Sequence, residues 1–126
     1  MRELSVVGVR VELPSNQPIV LLKEVDGERY LPIWIGAVEA TAIAYEQQGV
    51  KPARPLTHDL LRDVLAALKA PLTAVEIVEL KENVFYADLL IGENVRVSAR
   101  PSDSIALALR VGAPIRCADQ VLAEAG

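Results

Sequence analysis

Ile19-Val20-Leu21-Leu22-Lys23-Glu24-Val25-Asp26-Gly27-Glu28-Arg29-Tyr30-Leu31-Pro32-Ile33-Trp34-Ile35 is the stretch on which the fold turns. Aliphatic residues fill both arms, and Asp26-Gly27 between them tolerates the positive φ angles of a tight hairpin. Ile19 to Val25 and Arg29 to Ile35 are therefore expected to pair antiparallel. Upstream, Leu4 to Leu13 alternates and is rich in valine, a strand that Pro14-Ser15-Asn16-Gln17-Pro18 breaks.

Downstream the period changes to that of helices. Ala37 to Gln48 is alanine-rich, with Val38, Ala42 and Tyr45 at helical spacing and Gly49 placed as a C-cap. Its small side chains would let it pack closely on the sheet or on a neighbouring subunit. Thr57 reads as the cap of a second helix, whose residues Leu60, Leu61, Val64, Leu65 and Leu68 form one apolar stripe. Leu56 is spaced to pack on Leu61 as a hydrophobic staple.

Thr73 to Leu80 and Val84 to Ile91 form a second expected hairpin about Lys81-Glu82-Asn83, and Gly92-Glu93-Asn94 leads into Val95 to Ala99. Ser102 reads as the cap of a helix to about Val111, apolar on every side through Ile105 to Leu109, which must therefore be covered. Gly112 ends it, Pro114 opens the short run Ile115 to Ala118, and Asp119 reads as the cap of a last helix that Gly126 cuts short. The natural chain is thus expected to continue. This order predicts an α+β fold, mostly an antiparallel sheet with helices packed on it, as one domain over 1–126. Strand pairs followed by a capped helix occur in each half, a weak internal duplication.

Hydrophobic residues make up 52% of the 126 and aromatics 4%, so the single expected core is aliphatic. A net charge of −4 argues against a nonspecific nucleic-acid binder, because neutralising phosphates normally takes a basic stripe. RNA or DNA would require local convergence of Arg54, Arg62, Arg100 and Arg110. Cys117 alone excludes an internal disulfide and a thiolate zinc cluster within the chain, and fits a reducing cytoplasm. No basic-then-apolar leader opens the sequence and no apolar run reaches membrane-spanning length, so a cytoplasmic protein with no membrane partner is expected.

One local pattern occurs twice: Arg54-Pro55-Leu56-Thr57-His58-Asp59 and Arg100-Pro101-Ser102-Asp103-Ser104. In each, an arginine held extended by the following proline precedes a hydroxyl residue and an aspartate at a helix start. Either the two turns present guanidiniums and free N–H groups to a phosphate, with Arg54, Arg100, Thr57 and Ser102 as its ligands, or each arginine ties a strand end to its own aspartate. His58, the sole histidine, is the candidate general base, or else a residue that only caps its neighbours. Asp59 and Asp103, with Glu39 on the first helix, are the carboxylates available for a hydrated Mg²⁺ or Mn²⁺, although the helix dipole alone favours acids at those places. Trp34 could stack on a base, or anchor the core or an interface. No nucleophile elbow, glycine-rich phosphate loop, zinc-protease pair or dinucleotide fingerprint is present.

Leu31-Pro32-Ile33-Trp34-Ile35-Gly36 with Glu39-Ala40, the first Arg-Pro segment through Leu61, Phe85-Tyr86-Ala87, and Arg100 through Ala108 together resemble the bifunctional nuclease domain family, in order and spacing and over nearly the whole chain. The resemblance implies a compact α+β domain that self-associates into a homo-oligomer, and a family name taken from RNase and DNase activity ascribed to plant members. It implies no agreed catalytic residues. A nuclease acting through His58, Asp59 and Asp103 is the first expectation, and a non-catalytic oligomeric binding or regulatory module is the second.

Overall fold

A computed structural model describes residues 1–12 and 15–126, with Glu12 described through its backbone. Leu13 and Pro14, read from the sequence as a strand end and the break after it, lie outside the described residues. Among the described residues, seven strands form one sheet in the order β3-β2-β1-β7-β4-β5-β6, with four helices. The strands are β1 (Arg2–Glu12), β2 (Gln17–Glu24), β3 (Tyr30–Trp34), β4 (Leu72–Lys81), β5 (Val84–Ile91), β6 (Val95–Ala99) and β7 (Ile115–Cys117). The helices are α1 (Ala37–Gln48), α2 (Thr57–Ala67), α3 (Pro101–Val111) and α4 (Asp119–Ala125).

β1, β2 and β3 form one antiparallel meander and β4, β5 and β6 another, as the α+β reading requires. The short strand β7 stitches them together, antiparallel to β1 and parallel to β4. Ile115 and Cys117 are buried in that seam, so three residues carry the continuity of the sheet. α4 touches both β4 and β3, four places apart in the strand order, so the sheet is strongly curled.

The β2–β3 hairpin pairs Leu22 with Leu31 and Val20 with Ile33, all four in the core. Its turn differs from the tight one expected, since neither Asp26 nor Gly27 adopts a positive φ. Instead the Glu24 amide donates to Arg29 O at 3.0 Å, and Glu24 Oε1 accepts from the Arg29 amide and Nε at 3.0 and 2.8 Å. At Gly27 the chain passes close to Glu24: a Cβ there would lie 2.8 Å from its carboxyl and would push that side chain aside. The β4–β5 hairpin is the tight one: Lys81 pairs with Val84 across Glu82 and Asn83, whose φ angles are 52° and 64°.

α3 is the central helix, packed against α1, α2, β4 and β5, with Ile105, Ala106, Leu107 and Ala108 fully buried. Its all-round apolar character is covered as expected. α1 packs against it, and its buried residues are the small Ala40 and Ala42 with the larger Ile43. α2 is turned differently from its stripe. His58 is buried and Leu65 reaches the core, whereas Leu60, Leu61, Val64 and Leu68 face outward. Leu56 is exposed as well. Three cap assignments are also corrected: Leu56 precedes α2, Arg100 precedes α3 and Ala118 precedes α4, so Thr57 and Asp119 are first helical residues and Ser102 lies one residue inside. Arg100 is extended before Pro101, as expected, whereas Arg54 before Pro55 lies in a bend, and Pro101 itself opens α3 at the position where its missing N–H costs nothing.

Candidate active site at the starts of α2 and α3

Asp59 is the residue that caps α2. Its Oδ2 accepts the Leu56 amide at 3.0 Å, and its Oδ1 accepts from Arg110 Nε at 2.7 Å. Arg110 comes from the last turn of α3, and its other nitrogens donate to Ala106 O and Ala42 O at 2.8 and 3.0 Å. One guanidinium therefore ties α1, α2 and α3 together. Burial raises the Asp59 carboxyl, but the Arg110 and Leu56 hydrogen bonds and the Arg110 charge outweigh it and hold it below the usual carboxylate range.

Asp103, in the first turn of α3, reaches across to α2. Its Oδ1 lies 2.8 Å from His58 Nε2, and its Oδ2 accepts from Arg100 Nε and Nη2 at 2.9 and 2.8 Å. Because that carboxylate accepts from Arg100, the His58 ring is assigned Nε2 as the donor to it, which leaves Nδ1 as the ring's other edge. Arg100 also meets Glu39 Oε2 at 3.4 Å. Hydrogen bonding to Asp103 and the charges of Asp103 and Glu39 push the Arg100 pKa further up. The result is a chain Glu39–Arg100–Asp103–His58 running from α1 through the start of α3 into α2. Its ends differ in access: the Arg100 side chain is 65% exposed and that of His58 7%.

The two Arg-Pro turns are thus joined, but not through their arginines. Arg54 is exposed and takes part in none of the described ion pairs, while Arg100 is held by carboxylates. Thr57 is exposed at the start of α2, and Ser102 is buried at the start of α3. The acids singled out for a divalent cation are committed elsewhere. Both oxygens of Asp59 and both of Asp103 are hydrogen-bonded, and Glu39 serves Arg100. Among the described residues no group of three or more His, Cys, Asp or Glu side chains is placed to hold a metal, so as arranged this donor set does not fit Mg²⁺ or Mn²⁺.

Arg110 is the residue of this site that sequence reasoning missed as a partner for Asp59. Its placement in the last turn of a helix is explained by the dipole alone, and nothing in the linear spacing points to a carboxylate 51 positions earlier. Beside Arg100 lies an open groove of about 370 Å³, walled by the end of β3 with Trp34, by the β4–β5 turn with Asn83 and Phe85, and by Gln17. Trp34 is 55% exposed, so it does not anchor the core of this chain.

No helix among the described residues is long and apolar enough to cross a membrane. Two uncharacterized proteins of Mycobacterium tuberculosis, one from strain CDC 1551 / Oshkosh and one from strain ATCC 25618 / H37Rv, are each 64% identical to this chain over 126 residues, covering all of it and 77% of the relative. The sequence profile of the bifunctional nuclease domain matches residues 20–126, which include both Arg-Pro turns, the groove residues Trp34, Asn83 and Phe85, and the whole Glu39-to-His58 chain. The chain belongs to the bifunctional nuclease domain family.

Proposed function

We propose that this domain hydrolyses phosphodiester bonds of RNA or DNA, as an assembly of identical chains. The observation that carries the reading is the union of an exposed guanidinium and an oriented imidazole on one carboxylate, Asp103. Arg100 faces the phosphate and offsets charge that builds on its non-bridging oxygens. His58 takes a proton through Nδ1 from the attacking water, whose oxygen bonds to phosphorus as the bond to the leaving oxygen breaks. Asp103 orients both groups, and Glu39 steadies Arg100 from α1.

The experiment is incubation of the purified chain with labelled single-stranded RNA and DNA, with Mg²⁺, with Mn²⁺ and with chelator, beside His58→Ala and Arg100→Ala. Cleavage that survives chelator and falls in both variants while folding is intact supports the reading. Cleavage that is equal in all three proteins sinks it.

A second reading, a non-catalytic oligomeric binding module, is favoured by the near-complete burial of His58 and by the pairing of every acid in the network. The outward apolar face of α2 serves either reading as the contact between copies. Absence of cleavage by a folded, associated chain would select the second.

A further inference from the structure

Within the α2–α3 network only Arg100 opens onto the adjoining groove, and Arg100 is the one charged residue along that groove among the described residues. Beside Ser102 and aliphatic residues, groups of two kinds line it. Trp34 and Phe85 bring aromatic side chains to the lining, and Gln17 and Asn83 bring amides that can both donate and accept. Trp34 is outward by register: in β3, Leu31 and Ile33 point to the core and Tyr30, Pro32 and Trp34 point away. The largest aromatic side chain of the molecule is thus spent on the surface, beside the cation that the proposed chemistry uses, in a domain whose aromatics are few.

We infer that this groove takes an unpaired base of a single-stranded polynucleotide, stacked on Trp34, with the adjoining phosphate at Arg100. The inference rests on the nuclease reading for the identity of the polymer and deepens it by assigning where the strand lies. An aromatic face receives any base, an amide pair reads a base edge, and one guanidinium suits one phosphate. A duplex keeps its bases stacked on each other and cannot offer one to the indole, so single strands are selected by shape. Charge sets the extent of the contact. With a net charge of −4 over the chain and a single cation in the groove, few phosphates are engaged, so the salt dependence of binding is shallow, a log–log slope of about −0.7 for one phosphate of a single strand.

Trp34 is the only tryptophan, so fluorescence excited selectively at the indole, beyond the absorption of the three tyrosines, reports this groove. The test titrates the full chain, in chelator and low salt, with oligo(U), oligo(dT) and a duplex of equal length, the first two separating RNA from DNA. Saturable quenching by one or both single strands, with little by the duplex, is the expected result. Anisotropy of a labelled oligonucleotide then compares the natural chain with Trp34→Phe and Trp34→Ala. Because Trp34 is exposed the variants should fold, which thermal melting checks. A loss of about ten-fold or more in affinity for Trp34→Ala, with Trp34→Phe retaining most of it, supports stacking.

Equal binding by Trp34→Ala, equal quenching by duplex, or no quenching by any of the three overturns the inference. So does a fluorescence change that follows protein concentration instead of oligonucleotide, which would mean that a second copy covers the groove. Cleavage with an unmoved Trp34 signal removes this groove and leaves the nuclease reading standing. Quenching without cleavage keeps the groove and removes the catalytic reading.

Discussion

His58 Nε2 stands 2.8 Å from Asp103 Oδ1, so the first turns of α2 and α3, 45 residues apart in the chain, meet at one hydrogen bond. Each turn has an aspartate, and neither is satisfied only by the arginine of its own turn. Asp103 takes Arg100 and the foreign His58, and Asp59 takes the foreign Arg110. The repeated pattern works as a clasp between two helices, with Arg100 at its exposed end.

Asp103→Asn keeps the size of the side chain while removing the carboxylate that His58 and Arg100 share. If the network is catalytic, single-turnover cleavage of a labelled oligonucleotide falls about 100-fold or more. Stability measured by urea falls by only about 1–2 kcal/mol, because one hydrogen bond and one exposed ion pair are weakened. Unchanged cleavage with the same small stability loss would assign Asp103 a purely structural part.

Arg110 is 2% exposed and its partner Asp59 13%, so this pair is sealed far more tightly than Arg100. Arg110→Met leaves a largely buried carboxylate without its cation and removes a second donor from two helix carbonyls, Ala106 O and Ala42 O. A loss of about 3 kcal/mol is expected, visible as a lower urea midpoint. Pairing the change with Asp59→Asn should recover part of it, and a double variant no better than the single one would contradict the charge argument.

Acid should weaken the fold through Asp59 and Glu24. Burial, then the Arg110 and Leu56 hydrogen bonds, act in opposite directions on Asp59 and leave it lowered, while the Arg29 hydrogen bond lowers Glu24. Below about pH 4, the ordinary carboxylate range, the unfolded chain binds protons that the folded chain still refuses. Their stabilisation is therefore complete above that value and is lost as pH falls through the lower folded values. Melting temperature followed from pH 7 to pH 2 should drop below pH 4, and Asp59→Asn should start lower and fall less steeply. A parallel fall in both proteins would remove Asp59 from the account.

The outward face of α2 should be where copies of the chain meet. Leu60→Glu combined with Val64→Glu places charge on exposed positions that make no use of the monomer core. Sedimentation should show the natural chain associated and the variant dissociated, with similar helical circular dichroism. An unchanged oligomer would move the contact elsewhere, for instance to the uncovered strand β6, whose residues are exposed along its length except Ala99.

Much of the secondary structure was legible because its signals are local. Gly49 and Gly112 end their helices in the left-handed conformation, with φ of 70° and 73°, and Glu82-Asn83 makes the tight turn between two aliphatic runs. The stripe on α2 was legible as a stripe, but what it faces was not. Periodicity finds an apolar face but carries no information on what covers it, and here the inward place went to His58, drawn in by Asp103.

The linear order of residues determined that this chain makes an aliphatic α+β domain, where its hairpins turn, where its helices stop, and that it bears two similar arginine–proline helix starts. Those follow from backbone preferences and hydrophobic period, which act over a few residues. Tertiary structure alone decided that β7 joins the two meanders, that Asp59 answers to Arg110, that Asp103 gathers His58 and Arg100, and that Trp34 faces a groove instead of the core. Each is a contact between segments far apart in the chain, and among the described residues the packed arrangement leaves no buried side-chain nitrogen or oxygen without a hydrogen-bond partner, a balance that exists only once the helices are packed.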